Sequence, residues 1–331
     1  MTRRRMLCRL AGAAALPGAL PWALPWASRR AWALDYPNRP VHVLNGFAPG
    51  GQIDIFARLL GQWLSERLGQ SFVVDSRPGA ATNIATEEVV RAAPDGYTLL
   101  WITSANAINA TLYEKLNFNF IRDIVPVVGL DSAPLVMEVN PSFPAKTVTE
   151  FIAYAKANPG KISYGSGGVG STQHMAGELF KVMTGIDMIH VPYRGAVPVL
   201  NDLLGGRVQA TFSPLPSSLG YIRSGQLHAL AVTTAKRSDA LPDIPTVGEF
   251  VAGFEAGTWD GIGAPVGTPA AVIDKLNAAY TAALADPTIK ARFADFAGTT
   301  MPMPAADFGK LIAAETDKWA KVIKFANIKA E

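Results

Sequence analysis

The chain has 331 residues, 49% of them hydrophobic and 17% charged, with 30 Lys and Arg against 27 Asp and Glu. Six of the arginines (Arg3, Arg4, Arg5, Arg9, Arg29 and Arg30) fall within the first 33 residues, which hold no acid, so the rest carries 24 basic against 27 acidic residues, a net charge of −3. That balance offers nothing to nucleic acid or to an anionic membrane surface. The one cysteine, Cys8, lies in the same segment, which excludes disulfides, thiolate metal sites and cysteine nucleophiles from the remainder.

Residues 1 to 33 read as an export signal, with arginines ahead of an Ala/Leu-rich stretch and a small-x-small site at Ala31-Trp32-Ala33. Thr2-Arg3-Arg4-Arg5-Met6-Leu7 fits a twin-arginine signal and equally the basic start of a general secretory one. Pro17, Pro21 and Pro25 interrupt the apolar run, and no later run approaches the ~20 apolar residues of a spanning helix. The expectation is a soluble periplasmic protein, without a membrane anchor, that begins at Leu34. Its 298 residues suit two domains.

Val41 to Phe47 is the first predicted strand, followed by Pro49-Gly50-Gly51 and a helix with Ile53, Phe56, Leu60, Trp63 and Leu64 at helical spacing. A second strand (71 to 75), a second helix (84 to 93) and a third strand (97 to 103) repeat the alternation, which points to a parallel sheet covered by helices. Such sheets bind ligands beyond the carboxyl ends of their strands, where the loops after Phe47 and Thr103 would lie. Val127 to Asn140 reads as extended chain broken at Asp131 to Pro134, the first crossing into a second domain.

That domain opens with a capping box, Thr147-Val148-Thr149-Glu150, at the head of a helix. Then comes Ile-Ser-Tyr-Gly-Ser-Gly-Gly-Val-Gly-Ser-Thr-Gln-His, residues 162 to 174, where a strand enters four glycines and then a helix. Glycine lets successive backbone N–H groups face one side, and the helix adds its unpaired first-turn N–H groups and the positive end of its dipole. Such a loop suits a carboxylate or a phosphate. Gly165-x-Gly167-x-x-Gly170 also matches a dinucleotide fingerprint, but the next strand ends in Tyr193 and Arg194 where a ribose-binding acid belongs. Strands at 188 to 193, 208 to 212 and 228 to 233 follow, with a helix over 197 to 204, and Gly257 to Ala264 is the return crossing. Helices capped at Thr268-Pro269 and Asp286-Pro287 lead to a last one over about 305 to 325, whose Phe308, Leu311, Ile312, Trp319, Val322 and Ile323 form a packing stripe. The fold class expected is α/β: a two-domain, type II periplasmic-binding-protein (Venus flytrap) fold, two doubly wound sheets joined by two crossing strands. Residues 34-130 and 258-331 form domain I, and 131-257 domain II.

Four stretches resemble the tripartite tricarboxylate transporter substrate-binding family, also called Bug receptors: Pro49-Gly50-Gly51-x-x-Asp54-x-x-Ala57-Arg58, Pro94 to Leu100, His190-Val191-Pro192-Tyr193-Arg194-Gly195, and Leu241 to Val247. The resemblance covers essentially the whole chain after the export signal. It implies a periplasmic receptor that captures a small organic carboxylate between two domains, for a membrane permease of one large and one small subunit. A sensor subunit that loads ligand for a signalling receptor would use the same site. The resemblance also implies a first ligand-binding group, Phe47, Gly50, Gly51, Ser104, Ala105 and Asn106, that works largely through water. Its second group, Ser166, Gly170, Ser171 and Thr172, holds a carboxylate directly.

Many members carry an aspartate after the phenylalanine that here is Phe212, and this chain has Ser213-Pro214. A buried ammonium needs an acid partner, so a carboxylate without an amino group is expected, unless Glu138 or Asp131 lines the cleft. Arg194 either grips a carboxylate bidentately or is a solvated hinge residue. His174 and Glu178 stand one helical turn apart with no third ligand nearby, so no metal is expected and no cofactor is implied. Ser166 lacks the Gly-x-Ser-x-Gly setting of a hydrolase nucleophile, since Tyr164 stands at the first glycine position. A non-enzymatic, monomeric receptor is the reading, with a secreted hydrolase as the alternative.

Overall fold

A computed structural model of the protein describes residues 35–330; the export signal expected over 1 to 33 lies outside them. The strand β1 (Val41–Asn45) pairs in parallel with β2 (Phe72–Ser76) on one side and with β3 (Thr98–Thr103) on the other. The helices α1 (Gln52–Leu68) and α2 (Asn83–Val90) connect them. α1 turns Phe56, Leu60 and Leu64 inward, fully buried, as their spacing requires, and stops at Gly69, whose left-handed backbone is the usual helix terminator.

No loop follows β3. Thr103 caps α3 (Ser104–Leu112) at once: its hydroxyl accepts from the Ala105 N–H, while the Asn106 side chain accepts from the Thr103 N–H. This reciprocal capping box is what the sequence reading missed there. After the single turn α4 (Phe120–Asp123), β4 (Ile124–Val139) runs for 16 residues without the expected break, absorbing its irregularities as register shifts.

A second parallel set follows: β5 (Ser163–Ser166) pairs with β6 (Ile189–Pro192) and with β7 (Ala210–Pro214). Its helices are α5 (Val148–Ala157), α6 (Thr172–Thr184), α7 (Ala196–Leu204) and α8 (Leu215–Arg223), the last of which the sequence reading did not anticipate. Both β7 and β8 (His228–Val232) lie antiparallel to the second half of β4. β9 (Gly257–Pro265) runs antiparallel to the first half of β4 and to β3. The chain ends with α9 (Ala270–Ala285), α10 (Pro287–Asp295), β10 (Thr299–Pro304), which pairs with β4, and α11 (Ala305–Ala326).

The sheet order β2-β1-β3-β9-β4-β7-β5-β6 thus holds a parallel set at each end and an antiparallel middle of β4 and β9. The stripe on α11 packs as expected, with Phe308, Ile312 and Trp319 buried. Phe308 lies over the glycines of two adjacent strands, Gly129 and Gly261. No helix among the described residues is long and apolar enough to cross a membrane.

Candidate functional site

Four helices begin at one cavity. Its wall includes Gly51, Gln52 and Ile53 at the start of α1, Ser171, Thr172 and Gln173 at the start of α6, and Ala196 at the start of α7. Pro214 at the end of β7, Ser217 of α8's first turn, Phe47, Ala48, Thr103 at the end of β3, and Thr258 and Asp260 of β9 complete it. The cavity measures about 60 Å³ over the positions open to the centre of a water molecule, enough for about four waters or for one small polar ligand. Each helix start contributes unpaired N–H groups and a partial positive charge. Among the described residues that line it, Asp260 is the only ionisable one, and none is a cation.

Contacts across the cavity hold its walls together. The Ala48 N–H donates to the Arg194 carbonyl at 2.9 Å, the Gln52 N–H donates to Ser217 Oγ at 2.9 Å, and the Ser104 and Thr172 hydroxyls share a 2.6 Å bond.

Of the residues expected to bind ligand, Phe47, Gly51, Ser171 and Thr172 face this cavity, and the others are engaged elsewhere. Gly50 is exposed and its N–H donates to Asp54 Oδ2. Ser104 is buried behind the wall, tied to Thr172 and Thr258. The capping box consumes the Ala105 N–H and the Asn106 carboxamide, which also donates to Thr86. Ser166 is fully buried, its hydroxyl 2.6 Å from His190 Nε2 and 3.2 Å from the Gly168 carbonyl, so it braces the Gly-rich turn.

Gly170 turns the chain with φ +87, and its N–H donates to His174 Nδ1 at 3.2 Å. The Ser171 N–H likewise donates to the Gly168 carbonyl. The donors left to a ligand are therefore the first-turn N–H groups of Thr172 and Gln173, one position further along than the sequence suggested. Burial, and then Lys181, push His174 down to about 4, which keeps the imidazole neutral and able to accept the Gly170 N–H. Glu178 is occupied by Tyr164 and Lys181, so the His174 and Glu178 pair has no free ligand face.

Arg194 extends its side chain into solvent and offers only its carbonyl to the closure. Ser213 turns away from the cavity, fully buried beside Glu138 on β4, with Ser218 on the carboxyl's other flank. Burial raises the Glu138 carboxyl to about 8, against the smaller opposite pull of the two hydroxyls. Neither Glu138 nor Asp131 lines the cavity.

Asp260 and Gln52 were not anticipated. Gln52 Nε2 donates to Asp260 Oδ2 at 2.9 Å and to Asp131 Oδ2 at 3.3 Å, joining the buried acid on the cavity wall to a second one behind it. The signal was available in the sequence: an acid isolated in an apolar strand, at 131 and again at 260, needs a buried partner.

A family model described as the tripartite tricarboxylate transporter family receptor matches residues 56–328. Protein BugT of Bordetella pertussis is 36% identical over 292 residues, 87% of this chain and 90% of the relative. Among solved structures, R. palustris Rpa4515 with adipate is 37% identical, with a TM-score of 0.87 over 89% of this chain and 99% of its own. The periplasmic binding protein BugD is 32% identical, with a TM-score of 0.86 over 89% of this chain and 100% of its own. The fold is therefore that of the two-domain periplasmic binding proteins.

Proposed function

Because the chain belongs to the tripartite tricarboxylate transporter family of receptors, we propose that it captures a small organic carboxylate, one without an amino group, in the cavity between α1, α6 and α7. The observation that carries this reading is the convergence of helix N-termini on a cavity with no cationic side chain, a setting that attracts an anion through backbone donors. The adipate held by a relative supports the same ligand class. The Thr172 and Gln173 N–H groups and the Thr172 hydroxyl hold one carboxylate, and Gly51, Phe47 and Ser217 close over it. Charge-assisted hydrogen bonds of this kind contribute ~1.5–3 kcal/mol each.

Residues 34-130 with 258-331 form one closing domain and 131-257 the other, β4 and β9 being the crossings. The protein works as an exported periplasmic monomer that hands its ligand to a two-subunit membrane permease, and catalysis is not part of its role: Ser166 and His190, whose side chains pair in the Gly-rich region, meet behind the cavity wall. Mass spectrometry of the exported protein is expected to find a chain that begins near Leu34; a retained Arg3 to Arg5 segment would contradict export by cleavage.

The ligand class is tested by thermal shift against mono- and dicarboxylates, since a ligand at about 100 times its Kd stabilises by ~2.7 kcal/mol. Calorimetric titration with succinate against aspartate is expected to favour succinate by more than about tenfold, or about 1.4 kcal/mol. The reason is that no lining side chain other than Asp260 could serve an ammonium group, and burial of that carboxyl favours its neutral acid. Tighter binding of aspartate would refute this specificity.

A further inference from the structure

A pair of buried carboxyl groups meets at the wall of the cavity. Asp131 on β4 and Asp260 on β9 stand opposite each other in register, 0% and 1% exposed. Gln52 spans them, so both of its amide hydrogens are spent on the pair. The second oxygen of each carboxylate, Oδ1, has no partner, although both are buried. Trp101 and Thr103 of β3 face the pair from one side, and Thr300 of β10 stands opposite Asp131 on the other; none of these carries charge. On α1 the nearest charges, Asp54 and Arg58, are paired with each other. Asp260 lines the same cavity as Thr172 and Gln173.

We propose that Asp260, backed by Asp131 and held by Gln52, receives the far carboxylate of a small dicarboxylate as a neutral acid, so that ligand and proton enter the cleft together. The inference rests on the reading of the cavity as a carboxylate site and adds the charge state and length class of its ligand. Two buried carboxylates that share one amide and meet no cation cannot both ionise. Burial raises the affinity of both for protons, against the smaller opposite pull of Gln52 on each and of Trp101 on Asp260, and the charge of Asp260 raises Asp131 further. Protonated, Asp260 has an O–H to give, and none of the bonds it makes inside the protein uses it. A ligand carboxylate supplies that acceptor through a short O–H···O⁻ bond, whereas an ionised Asp260 would repel it. Where the free pair has lost its proton, binding draws one from solvent onto Asp260, and no other bond changes.

The test is calorimetric titration of the mature protein with succinate, glutarate and adipate, from about pH 6 to about pH 9.5, in buffers of different ionisation enthalpy. For a diacid that binds, Kd is expected to be flat at the acid end and to rise about tenfold per pH unit at the alkaline end. There the observed heat should follow the buffer, with about one proton taken up. Asp260→Asn, which donates an N–H at every pH, should bind with a flat profile and a buffer-independent heat. Buffer-independent heat in the unaltered protein across the whole range overturns the proposal, and that measurement decides the matter even if Asp260→Asn does not fold. A preference for aspartate that strengthens as pH rises also overturns it, because Asp260 would then be serving an ammonium group as an anion. Diacid binding without proton uptake leaves the carboxylate reading standing. Failure of all three diacids to bind, with other carboxylates binding, overturns this inference alone; failure of every carboxylate removes both.

Discussion

Replacing Gly261 by alanine is expected to destabilise the protein by about 3 kcal/mol, within the range of overpacked cores, enough to lower the melting temperature by roughly 6–10 °C in a chain of this size. Gly261 lies in β9 between two strands, with Phe308 of α11 seated on it. An added Cβ would stand 2.1 Å from Phe308 Cζ and 2.6 Å from the Val128 carbonyl oxygen. The carbonyl belongs to the neighbouring strand and cannot move without breaking the ladder, and the Phe308 ring is fully buried. Gly220 is the control. It lies exposed in α8 with nothing within 4 Å of the site of its missing Cβ, so alanine there should stabilise the helix by about 0.5–1 kcal/mol. Thermal melts of both variants check the prediction; equal small shifts would mean that α11 does not pack on β9 in this way.

The second large effect belongs to Glu138. Its carboxyl, raised from 4.5 to about 8 by complete burial, stays neutral in the folded protein while the unfolded chain ionises from about pH 4.5 upward. The sign follows from linkage: the folded state is favoured below the unfolded value, and stability drains away as pH rises towards the folded one. Across that window the loss is of order 4 kcal/mol, at about 1.4 kcal/mol per unit. Glu138→Gln keeps the shape beside Ser213 and Ser218, but it has no proton to lose. It should therefore be more stable than the unaltered protein by about 4 kcal/mol at pH 8 and nearly equal to it at pH 4. Denaturant unfolding at the two pH values decides this, and a stability difference that does not change with pH would sink it.

Much of the fold was legible because it is written in local patterns. The apolar spacing of α1, the Gly-rich turn before α6 and the stripe on α11 each state a face and a boundary within a dozen residues. α3 was hidden because β3 passes into it with no intervening turn, and Thr103 serves as both strand end and cap. β4 looked broken at Asp131 to Pro134 because a buried acid and a proline argue against a central strand when the partner strand is unknown. The site was legible in its glycines and less so in its donors. Gly170 looked like a ligand contact, yet its N–H is bound to His174, and a side chain there would meet Asn109 Oδ1 at 2.0 Å. The role of this glycine is to let the loop pass α3. Gln52, Asp131 and Asp260 come from three distant parts of the chain, and nothing local in any of them names the others.

The position of β9 between β3 and β4 also dictates when the molecule can finish folding. β3 is complete at residue 103 and pairs with β1 on one edge, but its other edge is covered only when Gly263 of β9 arrives opposite Leu100. β4, for its part, waits for Thr299 to Pro304 of β10 to cover its other edge. The sheet that begins first is completed last, and until then a growing chain exposes the open edges of β3 and β4. Pairings over such separations fold slowly, and their unfinished edges are where strands from two chains can join. Because the sheet closes only when the last fifth of the chain arrives, C-terminal truncation attacks the first strands laid down rather than trimming a tail.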